Sequence, residues 1–192
     1  MKRSIVCFSM AALMFAWASC GDTRKDSTEM AEDQNEETVS NKTDDDAEFA
    51  VEAADGGLME VELSTLALTK ASSADVKRYA QMMVDDHTKA NNELKALAQQ
   101  KNITLPTVMG NERQRKVDNL RDKTGAEFDK EYMDLMVSDH RDVIDEFEDQ
   151  AEDGKDAELK SWASTKIEAL RHHLQEAERI QGVLKNNKNG NR

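Results

Sequence analysis

Met83-Val84-Asp85-Asp86-His87 returns as Met136-Val137-Ser138-Asp139-His140. The correspondence extends outward: Tyr79 pairs with Tyr132, Lys77 with Lys130, Glu93 with Glu146 and Ala98 with Ala151. Around the first copy, Val76, Ala80, Met83, His87, Ala90, Leu94 and Leu97 fall on one face of a helix. Around the second, Met133, Met136, His140, Val143, Phe147 and Ala151 do the same. Each histidine thus lies on the stripe that faces a helical core. A polar ring in a core is costly unless it is satisfied, so it must hold something or be held.

Two further helices complete the pattern. One is predicted from about Ala47 to Lys70, with Phe49, Ala53, Gly56, Glu60, Leu63 and Ala67 on its apolar stripe. Gly56-Gly57 weakens that helix and allows a close approach or a kink. Ser72-Ser73-Ala74-Asp75 is a capping signal for the helix of the first copy, which is predicted to end near Lys101. The helix of the second copy starts near Ala126 and stops at Gly154. The last helix runs from about Asp156 to Lys185, with Trp162 or Ala163, Leu170, His173, Ala177, Ile180 and Leu184 inward. Between the two copies lie Pro106, Gly110, Gly125 and a short helix from about Asn111 to Asp122. This connection is long enough to travel the length of a bundle.

The predicted class is all-α: a ferritin-like four-helix bundle whose long crossover joins the second and third helices and carries a short extra helix. That topology makes the two helices of the repeat parallel and sets His87 and His140 at one height. Glu60 and His173 lie near the midpoints of their own helices. Glu60, His87, His140 and His173 are therefore expected to form one polar layer.

The 192 residues are 38% hydrophobic and 34% charged with one proline, as expected of one helical domain with tails. Residues 1–19 read as a signal segment: Lys2 and Arg3, then an apolar run from Ile5 to Trp17 that is too short to span a membrane. Ala18-Ser19-Cys20-Gly21 resembles a lipobox, with Trp17 where leucine is usual, which makes Cys20 the lipidated first residue of the mature chain. Ala16-Trp17-Ala18 also fits an ordinary cleavage site. Gly21, by resemblance to bacterial lipoprotein sorting, points to an outer membrane lipoprotein facing the periplasm or the cell surface. Residues 20–44 are expected to form a disordered acidic tether, residues 45–186 the bundle, and residues 187–192 a disordered tail. Cys7 leaves with the signal segment, so the mature chain has no disulfide. Loss of Lys2 and Arg3 takes the formal net charge from −13 to −15. Such a surface disfavours nucleic acid and anionic lipid. The expected membrane contact is the lipid anchor, and no protein partner is legible.

Gly56-Gly57-Leu58-Met59-Glu60-Val61-Glu62-Leu63, Lys70-Ala71-Ser72-Ser73, the run from Val76 to Asn91, Gly125-Ala126-Glu127-Phe128-Asp129-Lys130-Glu131-Tyr132 and Leu170-Arg171-His172-His173-Leu174 occur in an order that resembles the bacterial family called domain of unknown function 4142. The resemblance covers about Ala47 to Ile180. It implies an exported or outer-membrane protein with a ferritin-like fold and a polar signature at Glu60, Asp86, His87, Asp139, His140 and His173. The family usually has Leu-Pro where this chain has Ile167-Glu168-Ala169. The last helix is therefore expected to be straighter here.

A di-iron carboxylate site in a bundle needs about four carboxylates and two histidines, with Glu-x-x-His on two helices. Val84, Val137 and Leu170 stand three residues before His87, His140 and His173. That argues against a ferroxidase or oxygen-activating enzyme. Three imidazoles and one carboxylate instead suit one Zn, Cu or Fe ion. Asp86 and Asp139 can orient neighbouring imidazoles from behind. Met83 and Met136, one turn before the histidines, suit Cu(I) as thioethers, although methionine at core spacing ordinarily packs. Glu62 lies off the main stripe as a further candidate ligand, and His172 points away from it. No Ser-His-Asp set, phosphate loop or cysteine nucleophile is present. Two functions remain. One is an exported bundle that binds a metal or small ligand in its Glu/His layer. The other is a non-catalytic envelope structural or interaction protein with a hydrogen-bonded polar core.

Overall fold

The computed structural model describes residues 25–38 and 44–190. The expected signal segment, Cys20 and residues 191–192 lie outside the described residues. Six helices and no strands occur among the described residues: α1 (Ser27–Thr38), α2 (Asp44–Lys70), α3 (Ala74–Lys101), α4 (Asn111–Arg121), α5 (Gly125–Asp153) and α6 (Ala157–Gly190). None of them is long and apolar enough to cross a membrane.

The four long helices share one core. α2 packs on α3 and α5, and α6 packs on α5 and α3. α3 and α5 face each other across the middle. The Tyr79 and Tyr132 rings lie 6.1 Å apart and those of His87 and His140 5.8 Å apart, so the two copies of the repeat run in the same direction at the same height. The crossover holding α4 makes this possible, because it returns the chain to the end at which α3 began.

Polar groups close both hairpins. At the turn between α2 and α3, the Ser73 Oγ accepts from the Val76 N–H, and the Asp129 carboxylate of α5 accepts from the Ser72 and Ser73 amides. The capping motif thus also fastens α3 to α5. At the opposite end, Asp46 of α2 accepts from the Lys155 and Asp156 amides and from Gln150, which ties α2 to the turn between α5 and α6. Gly154 is required there, because a Cβ would lie 2.6 Å from the Gln150 carbonyl oxygen. α2 runs unbroken through Gly56-Gly57. A Cβ on Gly57 would fall 2.0 Å from Asn91 Oδ1, so this glycine permits close approach to α3.

Two expectations need correction. Residues 27–38 of the expected tether form a helix packed on α2, with Ala31 and Asn35 buried. The Asn35 amide donates to the Thr104 carbonyl (3.0 Å) and accepts from the Thr104 N–H (2.7 Å), while Ser27 Oγ donates to the Val108 carbonyl (2.9 Å). α1 is held by satisfying the backbone of the crossover loop, a force that counting apolar residues does not register. The expected tail is likewise helical as far as Gly190.

Candidate metal centre

Apolar clusters lie on both sides of the layer. Met83, Met136, Tyr79 and Tyr132 belong to the one, and Ile144, Phe147, Ala163 and Leu170 to the other. Between them His87, His140 and His173 are 7%, 0% and 2% exposed, and Glu60 is 3% exposed. α3, α5 and α6 each supply one ring, and α2 supplies the carboxylate. The ring centroids are 5.2 Å apart for His87–His173 and 5.5 Å for His140–His173. The continuous α6 therefore carries His173 to the same level as the repeat-related pair.

Each ring has one nitrogen held by the protein and one without a partner in it. His87 Nδ1 lies 2.7 Å from Glu60 Oε2, His140 Nδ1 3.1 Å from the Met136 carbonyl oxygen, and His173 Nε2 2.9 Å from Asp86 Oδ2. His87 Nε2, His140 Nε2 and His173 Nδ1 are buried with no hydrogen-bond partner in the protein. The three rings also offer one ligand atom apiece within 4.8 Å of one another, and Glu60, Asp139 and His140 form a second such group. A ring with one nitrogen fixed by the protein and the other left free is the state of a metal-binding imidazole.

Burial works to raise the Glu60 carboxyl, but the adjoining His87 and His140 outweigh it and hold it down at about 2. Burial works to lower His87, and Glu60 outweighs that, leaving it raised. Burial pushes His140 down to about 4, against the pull of Glu60. It also lowers His173. Asp139 is raised to about 7 by burial and by the Glu60 charge. Two of the three imidazoles are thus kept neutral at neutral pH, the state in which nitrogen can bind a cation.

The remaining residues singled out by their spacing divide clearly. Asp86 reaches a ring, though that of His173 on α6 rather than its own neighbour. Asp139 reaches no ring by hydrogen bond; its Oδ1 lies 4.0 Å from Arg113 Nη1. Met83 and Met136 are fully buried in the apolar core. Glu62 is half-exposed and pairs with Arg121 at 2.7 Å, away from the layer. His172 is exposed. Arg113 is the residue that spacing could not single out. It comes from the crossover helix α4 and bonds Asp55 and Glu52 of α2, both at 2.8 Å. Its only signal is a basic residue in a segment that must cross an acidic bundle.

A family model described as a domain of unknown function (DUF4142) matches residues 29–180, from within α1 to the last inward isoleucine of α6. Comparison with curated proteins gives no match. Among solved structures, the chain is similar to one described as "putative secreted protein DUF305" from Streptomyces coelicolor. The identity is 14% and the TM-score 0.63, covering 76% of this chain and 96% of that one. At that identity the likeness concerns the fold alone.

Proposed function

The chain belongs to the DUF4142 family, and from that premise we propose that it is an exported, lipid-anchored, ferritin-like bundle that binds one metal ion between His87, His140 and His173. The observation that carries this reading is the set of three buried ring nitrogens with no partner in the protein, on rings whose other nitrogens are already held. Glu60 and Asp86 hold rings at their other nitrogens, so the proposed ligand set is the three imidazoles. Imidazole ligands suit Zn, Cu and Fe. The rival reading, a purely structural polar layer in an envelope protein, has to satisfy those three nitrogens with buried water, because no protein group reaches them.

Equilibrium dialysis of the purified full chain against Zn²⁺ or Cu²⁺ tests the reading. The expected result is about one ion per chain at neutral pH, released on acidification as protons take the ring nitrogens. Absence of stoichiometric uptake of Zn, Cu or Fe by the folded protein would leave the structural envelope protein as the better account.

The anchor is supported by the basic, apolar and Ala18-Ser19-Cys20-Gly21 sequence at the start of the chain. The likeness to a protein described as secreted agrees with export. Cys20→Ser should release the protein from the membrane fraction or leave it unprocessed. A mature N-terminus at Ser19 by mass spectrometry would show ordinary cleavage instead.

A further inference from the structure

A cleft of about 340 Å³ lies against α2, α4 and α5, lined by Glu52, Asp55, Arg113, Lys116, Asp139 and Glu146 among others. Arg113 stands within it, bonded to Glu52 and Asp55 and 4.0 Å from Asp139 Oδ1. Asp139 is the residue common to the cleft and the layer. It lines the cleft but is only 6% exposed, and its Oδ2 has no partner in the protein. Inward, it offers an oxygen within 4.8 Å of ligand atoms of Glu60 and His140. Glu60 Oε1 is also unpaired by hydrogen bond, lying 3.4 Å from His140 Nδ1.

We propose that this acidic cleft is the loading route of the metal centre, with Asp139 as the transfer ligand that hands a divalent cation from the cleft to the histidines. The proposal rests on the metal reading above. Carboxylates lining a narrow, low-dielectric opening concentrate cations and raise their association rate. Asp139 then lends one oxygen on the way in, within 4.8 Å of ligand atoms of Glu60 and His140. Arg113 neutralises the same carboxylates while no metal is passing, so an incoming dication must displace its contacts. The other approach, past Asp86 on α3 and α6, is less suited. Asp86 is spent on the outer nitrogen of His173 and does not group with Glu60 and His140.

Stopped-flow uptake of Co²⁺ by the purified full chain, read from the visible absorption of the bound ion, tests the route. In Asp139→Asn, uptake and chelator-driven release should both slow by about tenfold or more, the scale on which focusing in a charged cleft acts, while the equilibrium Kd stays near that of the wild type. Glu146→Gln, at the cleft wall, should slow uptake in the same direction with less risk to the fold, and Arg113→Gln should speed it. Added salt should slow the wild type more than Asp139→Asn. Wild-type rates in both Asp139→Asn and Glu146→Gln would overturn the route. A weaker Kd with an unchanged uptake rate would overturn it too, because Asp139 would then be a resident ligand. Slowing in Asp86→Asn alone would move the entry to the opposite side and overturn it as well. A wild-type chain that takes up no Co²⁺, Zn²⁺ or Cu²⁺ at all is a different result, and it removes the metal reading itself.

Discussion

Glu60→Gln is expected to destabilise the metal-free protein by on the order of 3 kcal/mol at neutral pH. The carboxylate is enclosed and faces two rings, His87 at 2.7 Å and His140 at 3.4 Å, of which His87 is the one held raised by it. Removing one partner of a buried charged pair strands the other, which costs several kcal/mol. The direction of the pH dependence follows from the same contacts. The adjoining His87 holds the carboxyl well below its ordinary 4.5 in the folded chain, against the pull of burial. Because the folded value is the lower one, this contribution is complete above pH 4.5. It shrinks as the pH falls and is gone below about 2. Urea unfolding of both proteins across this range is the measurement. The gap between wild type and Glu60→Gln should be widest at neutral pH and close in acid. A gap that is independent of pH would mean that Glu60 contributes by packing and not by charge.

His140→Ala should abolish metal-dependent stabilisation altogether, and His87→Ala should do the same. A bound ion raises the melting temperature by mass action, so the wild type should gain with added Zn²⁺ in proportion to the logarithm of its concentration. Neither variant should gain. Both also lose stability without metal, by about 1–3 kcal/mol for the groups left unsatisfied, so the increment and not the starting value is diagnostic. His172→Ala is the control, because this exposed ring should leave both values unchanged. A full increment in His140→Ala, in protein that keeps its helical circular dichroism, would remove His140 from the site.

The layer was legible because two local signals agree. Helical spacing puts each histidine inward, and the repeat forces two of them to one height once their helices are parallel. His173 followed from its place midway along α6, and Asp86 from its position beside the layer. What was not legible depends on contacts between distant segments. Asp139 and Asp86 occupy equivalent places in the repeat, yet one meets Arg113 from the crossover and the other meets His173. Nothing within either copy separates them. The inward position of Glu60 makes it a candidate ligand, but only the side-chain geometry shows its oxygens on the Nδ1 edges of two rings. The sequence of α1 has almost no apolar stripe, and so by composition it reads as a tether. Asn35 on the Thr104 backbone and Ser27 on the Val108 carbonyl hold it, polar contacts that composition cannot weigh.

The most direct test of the metal centre is X-ray absorption at the Zn edge of the full chain loaded with one equivalent of Zn²⁺. The account predicts a nitrogen-dominated first shell at about 2.0–2.1 Å, with the outer-ring scattering of three imidazoles, and one of these lost in a His140→Ala protein forced to bind at excess metal. A shell made of carboxylate and water oxygens, with no imidazole signature, would contradict it and place any bound zinc on the acidic surface.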